Sequence, residues 1–149
     1  MKDNDNVLNY NIWSAGEYEN NPEIFYGNPI ISRICTNEWS IIGEQGIKLT
    51  KKNSSESYVR IYHNQSFINK TVTASATIKT YNSAAYLYLF EANSSGFIQS
   101  RSVFVPANSV SNVNVSLVSG SNNTRFGVQF NIVEDTGSIN IDNIKLIQS

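Results

Sequence analysis

The sequence predicts an all-β protein, a two-sheet antiparallel β-sandwich of the jelly-roll type, and three observations carry that prediction. Apolar residues recur at period two rather than at the 3.6-residue period of a helix. β-Branched and aromatic residues abound, while clusters of good helix formers are few. Polar punctuation separates the alternating runs, as at Lys51-Lys52-Asn53-Ser54-Ser55, Asn93-Ser94-Ser95-Gly96 and Ser119-Gly120-Ser121-Asn122-Asn123. At 149 residues the chain reads as one domain, residues 1–149, long enough to bury about 70% of its unfolded surface without disulfides or zinc.

Taken in order, alternation predicts strands at Val7 to Trp13, Ile30 to Cys35, Ile47 to Thr50, Ser57 to His63 and Thr71 to Thr80. It continues at Ala84 to Glu91, Phe97 to Val105, Asn112 to Val118, Arg125 to Ile132 and Ser138 to Ile147. About ten short strands at this spacing fit a closed sandwich, and a jelly roll is the common solution at this size. Parity assigns Val59, Ile61, Val72, Ala74, Ala76 and Ile78 to the core. The same rule adds Leu87, Leu89, Val113, Val115, Leu117, Phe126, Val128 and Phe130.

The opposite parity carries the chemistry. Tyr58, Arg60 and Tyr62 interleave with Val59 and Ile61, and Tyr86 and Tyr88 flank Leu87. On the next strand the outward set is Gln99 and Arg101 or, with the phase reversed, Ser100 and Phe104. Tyrosine rings stack on the apolar faces of sugars, while guanidinium and amide groups bond hydroxyls, so this face suits a saccharide. Cross-strand tyrosine pairs that only stabilise the sheet are the competing reading.

Composition narrows the remaining classes. A formal net charge of −1 with 15% charged residues offers no basic field for nucleic acid or for an anionic membrane. No apolar run approaches the roughly 20 residues of a transmembrane helix, so membrane insertion is not expected. The amino-terminal residues lack the apolar stretch of a signal peptide, so a chain acting outside a cell is expected to be an excised module or to travel by another route. One cysteine, Cys35, excludes an internal disulfide, and together with the single His63 it cannot complete an ordinary zinc site. A glycosidase needs two carboxylates across a cleft; Glu44, Glu91, Glu134 and Asp135 are available, but most lie in or beside expected turns, where acids are usually solvated. No catalytic residue is assigned.

The closing strand changes phase. Ile139 and Ile141 occupy one parity, whereas Asp142, Ile144 and Leu146 occupy the other, so a bulge near Asp142 and Asn143 is expected to return both halves to one core. A carboxylate at such a kink invites either a cation or a capped strand end.

Three segments, in order, give a family resemblance. Ser14-Ala15-Gly16-Glu17-Tyr18-Glu19, Gly46-Ile47-Lys48-Leu49-Thr50 and Gly137 to Leu146 resemble the opening, middle and closing motifs of carbohydrate-binding modules of the family 4, 9 and 22 type, jelly rolls of the galactose-binding-like class. The resemblance implies a structural calcium held by Glu19, the backbone around Gly46 to Lys48, and Asp142, which are hard oxygen ligands from both ends of the chain. The chain departs from the pattern after Glu19, where about twenty residues precede Trp39. The expected function is non-catalytic binding of a polysaccharide or cell-surface glycan through Tyr58, Arg60, Tyr62, Tyr86, Tyr88 and Arg101, with Trp39 as a loop platform. The expected setting is extracellular or at a cell surface, beside neighbouring domains of a larger protein. The alternative is a structural or adhesion module of a surface or phage virion protein with no sugar ligand.

Overall fold

A computed structural model of the protein describes residues 25–27, 32–36, 46–51, 58–63 and 65–148, and their side chains except at 25–27, 32–36, 46–47, 59 and 61–62. The strands are β1 (Phe25–Gly27), β2 (Ser32–Thr36), β3 (Gly46–Lys51), β4 (Val59–His63) and β5 (Thr71–Thr80), then β6 (Ala85–Asn93), β7 (Gly96–Val105), β8 (Val110–Val118), β9 (Arg125–Ile132) and β10 (Gly137–Gln148). Among the described residues they form two five-stranded antiparallel sheets, in the orders β1-β4-β9-β6-β7 and β2-β3-β10-β5-β8. Apart from β2–β3 and β6–β7, each connection between successive strands passes from one sheet to the other, which is how a jelly roll closes. The expected two-sheet sandwich is the observed fold.

Period-two patterning decides which way each strand faces. On β5, Val72, Ala74, Ala76 and Ile78 are buried; facing them are Leu87 and Leu89 of β6 with Phe126, Val128 and Phe130 of β9. Val115 and Leu117 are buried with them, and Val113 packs half-buried against the same core. The side chains of Val59 and Ile61 lie outside the described set, but their register partners, Phe130 and Val128, are core residues. The expected strands at 71–80 and 125–132 are found with those bounds. The short strand β1 was not expected, and the expected strand at Val7 to Trp13 lies outside the described residues.

The phase change in the closing strand is a bulge. Asp142 pairs with Thr77 and Lys145 with Ser75, so β10 carries one extra residue, and Asn143 absorbs it at φ 55°. Asparagine tolerates this left-handed conformation better than most residues. Ile139 and Ile141 before the bulge, and Ile144 and Leu146 after it, all reach the same core.

One polar cluster locks an end of the sandwich. Glu91, at the end of β6, is fully buried and accepts from Gln99 Nε2 at 2.7 Å, Gly120 N at 2.9 Å and Asn123 Nδ2 at 2.7 Å. Asn123 in turn accepts from Phe67 N at 3.0 Å and donates to Phe67 O at 2.9 Å. Glu91 thus anchors the β8–β9 loop to β6, and Asn123 ties that loop to the segment before β5. This corrects the expectation of a solvated turn: Glu91 continues the inward parity of Leu87 and Leu89, and its partners replace the water it loses.

Candidate functional site

The outer face of the first sheet is built by register. One cross-strand row runs Arg60, Gln129, Tyr88, Ser102, and beside it Asn131, Tyr86 and Phe104 are paired in the same way. With strands roughly 4.8 Å apart, a four-strand row spans about 14 Å. The core residues between these positions turn inward, so this face collects the residues that the core does not use.

Arg60 is the centre of one half of the face. Its Nε and Nη2 donate to Gln129 Oε1 at 2.8 and 2.6 Å, and Gln129 Nε2 donates to Asn131 Oδ1 at 2.8 Å. Its guanidinium carbon lies 4.4 Å from the Tyr58 ring centroid, 4.7 Å from Phe90 and 5.0 Å from Phe97. Phe90 reaches this position because it lies over Gly127, where an added Cβ would come within 1.9 Å of the ring. The other half is aromatic: Tyr86 lies 5.7 Å from Tyr88 and 5.2 Å from Phe104, with ring planes inclined by 39° and 64°. Tyr86 and Tyr88 are half-buried; Phe97 is 62% and Phe104 51% exposed, large values for rings that a sandwich core would otherwise take.

The sequence-predicted residues divide as follows. Tyr58, Arg60, Tyr86 and Tyr88 come together on this face. Tyr62 pairs with Gly127 in its register, although its side chain lies outside the described set, and Trp39 lies outside the described residues altogether. Arg101 does not join them. It pairs with Leu89, on the parity of the core residues, and its Nη1 donates to the Ser100 carbonyl at 2.8 Å. The reversed phase is the observed one, because β7 pairs Ser102 with Tyr88 and Phe104 with Tyr86. Sequence reasoning missed Gln129, Asn131, Phe90 and Phe97. The odd-numbered polar positions of Arg125 to Ile132 carried the signal for the first two, but the stacking of Phe90 on Gly127 had none.

On the second sheet, Asp142 is buried, and its Oδ1 accepts from Asn143 N at 2.8 Å. Two residues earlier on the same parity is Asn140, also buried, which pairs with Lys48 of β3. Its Nδ2 donates to the Tyr81 hydroxyl at 3.0 Å, while its Oδ1 is buried without a hydrogen-bond partner. A carboxylate and an amide oxygen are donors of the type calcium takes, but among the described residues no group of three or more His, Cys, Asp or Glu side chains gathers that could hold a metal ion. Glu19, the remaining expected ligand, lies outside the described residues.

Among the described residues, the other carboxylates considered for catalysis do not assemble. Glu91 is sequestered, Glu134 and Asp135 are exposed neighbours in the β9–β10 turn, and Glu44 lies outside the described residues.

The sequence matches no protein-family model and no curated protein. Solved structures do match its fold. The enzymatically active domain of tailspike protein 4 of bacteriophage CBA120 aligns over 97% of this chain and 22% of its own, with a TM-score of 0.75 and 13% identity. The CBM22-1 xylan-binding domain of Paenibacillus barcinonensis Xyn10C aligns over 83% of this chain and 85% of its own, with a TM-score of 0.64 and 10% identity. The CBM22-1 and GH10 modules of Clostridium thermocellum Xyn10B, complexed with xylohexaose, align over 85% of this chain and 26% of their own, with a TM-score of 0.67 and 6% identity. The chain thus has the jelly-roll fold of carbohydrate-binding modules, and it spans about a fifth of the tailspike domain's length.

Proposed function

We propose that this protein is a non-catalytic carbohydrate-binding module that holds a polysaccharide or cell-surface glycan on the outer face of its first sheet. The observation that carries the reading is the contiguous face on which Tyr58, Tyr86, Tyr88, Phe97 and Phe104 surround the hydrogen-bonded series Arg60, Gln129, Asn131. Rings supply stacking area, and the amides between them supply donors and acceptors for hydroxyls. The rings are inclined to one another, which favours a single twisted glycan chain over a flat crystalline surface. The fold shared with xylan-binding modules supports the reading as analogy. Its setting is a larger secreted or surface-exposed protein, in which the module keeps a neighbouring domain near its target.

A structural calcium belongs to the same proposal. Asp142 and the backbone around Gly46 to Lys48 would hold it with Glu19, and the ion would supply charge that ties β10, β3 and the amino-terminal segment together. The second reading, a structural module of a virion protein, is favoured by the tailspike likeness over nearly the whole chain. A glycan array followed by titration of Tyr86→Ala and Tyr88→Ala separates the two. The binding reading expects a glycan hit that each substitution weakens about tenfold; no hit on a broad array favours the structural module.

A further inference from the structure

A second site lies on the outer face of the other sheet, beside the β10 bulge. A groove of about 390 Å³ opens there, and its lining includes Ser75 and Thr77 of β5, Asn112 and Asn114 of β8, and Asn143 and Lys145 of β10. That volume is within the usual range for small-ligand pockets. Register puts the β5 and β8 side chains and Lys145 on one side: Asn114, Ser75 and Lys145 form one cross-strand row, and Asn112, Thr77 and Asp142 the next. Their chain neighbours Ala74, Ala76, Val115, Ile144 and Leu146 turn into the core. Outward positions on a flat sheet are exposed, yet Thr77 is 3% exposed and Ser75 and Asn143 are half-buried, so these polar groups sit at the bottom of a depression.

The hydrogen-bonding capacity of this lining is largely unused. The Thr77 hydroxyl donates to Asn112 Oδ1 at 2.6 Å, which leaves the Asn112 Nδ2 protons to a ligand. The Ser75 hydroxyl and the side-chain amides of Asn114 and Asn143 make no hydrogen bond among the described residues. The adjoining row is the contrast, since Thr73 Oγ1 and Ser116 Oγ close on each other at 2.6 Å. Sheltered groups gain most from a ligand that supplies the missing partners. One ammonium, Lys145, and one carboxylate, Asp142, stand in neighbouring rows, so a neutral ligand suits the groove. Among the described residues no aromatic ring lines it, which leaves recognition to hydrogen bonds rather than stacking. Side chains about 4.8 Å apart across strands and about 6.7 Å apart along them match the scale of a sugar ring with its hydroxyls.

We infer that this groove binds a neutral saccharide, its hydroxyls held by Ser75, Asn112, Asn114 and Asn143. The site is independent of the aromatic face, on the opposite side of the sandwich, and gives the module a second contact that reads hydroxyl configuration.

The test titrates the full chain with cellobiose, xylobiose, mannobiose and lactose and, as an acyclic polyol, with glycerol, following backbone amide shifts by NMR. The expected result is saturable movement of the Ser75, Asn112, Asn114 and Asn143 amides with at least one disaccharide, with glycerol at least about tenfold weaker. Ser75→Ala and Asn114→Ala break no hydrogen bond among the described residues, so both should keep the fold, and each should weaken the response about tenfold. Tyr88→Ala should leave it intact. No disaccharide moving these amides, glycerol acting as strongly, a response that survives both alanine variants, or one that is lost with Tyr88→Ala would overturn the inference.

Discussion

At the scale of single residues, the molecule separates groups that hold the fold from groups left to meet a partner. Tyr86 and Tyr88 are half-buried and touch other rings on one side. Alanine at either should therefore cost only about 1 kcal/mol of stability, measured by denaturant unfolding, and leave the fold intact while binding falls about tenfold. Glu91 is the opposite case. Glu91→Ala strands the Gly120 and Asn123 donors in a dry site and should cost about 3 kcal/mol, with Glu91→Gln in between and glycan binding unaltered in both. The sequence revealed the tyrosines because alternation marks a face without needing a partner. It hid Glu91, whose burial depends on Gln99, Gly120 and Asn123 arriving from two other segments.

At the scale of elements, two local devices set the strands. Gly127 leaves β9 bare so that Phe90 can lie across it and support Arg60. Gly127→Ala should displace Phe90, lower stability by about 2 kcal/mol and weaken glycan binding, since Arg60 loses one of its stacking rings. The bulge in β10 depends on Asn143 at φ 55°. Asn143→Gly should be nearly neutral in thermal unfolding, whereas Asn143→Val should cost about 1–2 kcal/mol because a β-branched residue resists that conformation. The bulge was legible because the apolar pattern slips by one residue at Asp142, and only an inserted residue repairs such a slip. The phase of β7 was not, because both parities of Phe97 to Val105 mix polar and apolar residues at an edge strand. Arg101 was placed on the wrong face for that reason.

Across the whole molecule, a half-buried histidine couples the fold to pH. His63 stacks on Phe67 at 5.4 Å, and burial holds it below its ordinary value of 6.5, opposed by a hydrogen bond with Gln65. Its unfolded form therefore takes up a proton more readily than the folded form. The stability this contributes is complete above about pH 6.5 and is lost as pH falls below it. Thermal unfolding between pH 7.5 and 5 should show that decline, and His63→Phe, which keeps the stack and removes the titration, should flatten it. The two-sheet architecture was readable at this scale because ten alternating runs leave few other ways to bury one face each. The proposed binding face needed the strand order as well, since β4, β9 and the β6–β7 pair are neighbours in space and far apart in the chain. The most direct measurement is an NMR shift map of the labelled protein with the polysaccharide that an array selects. Binding on the first sheet predicts that the amides of Arg60, Tyr86, Tyr88 and Gln129 move together and saturably, and that Tyr88→Ala raises the saturating concentration about tenfold; shifts confined to the second sheet would contradict it.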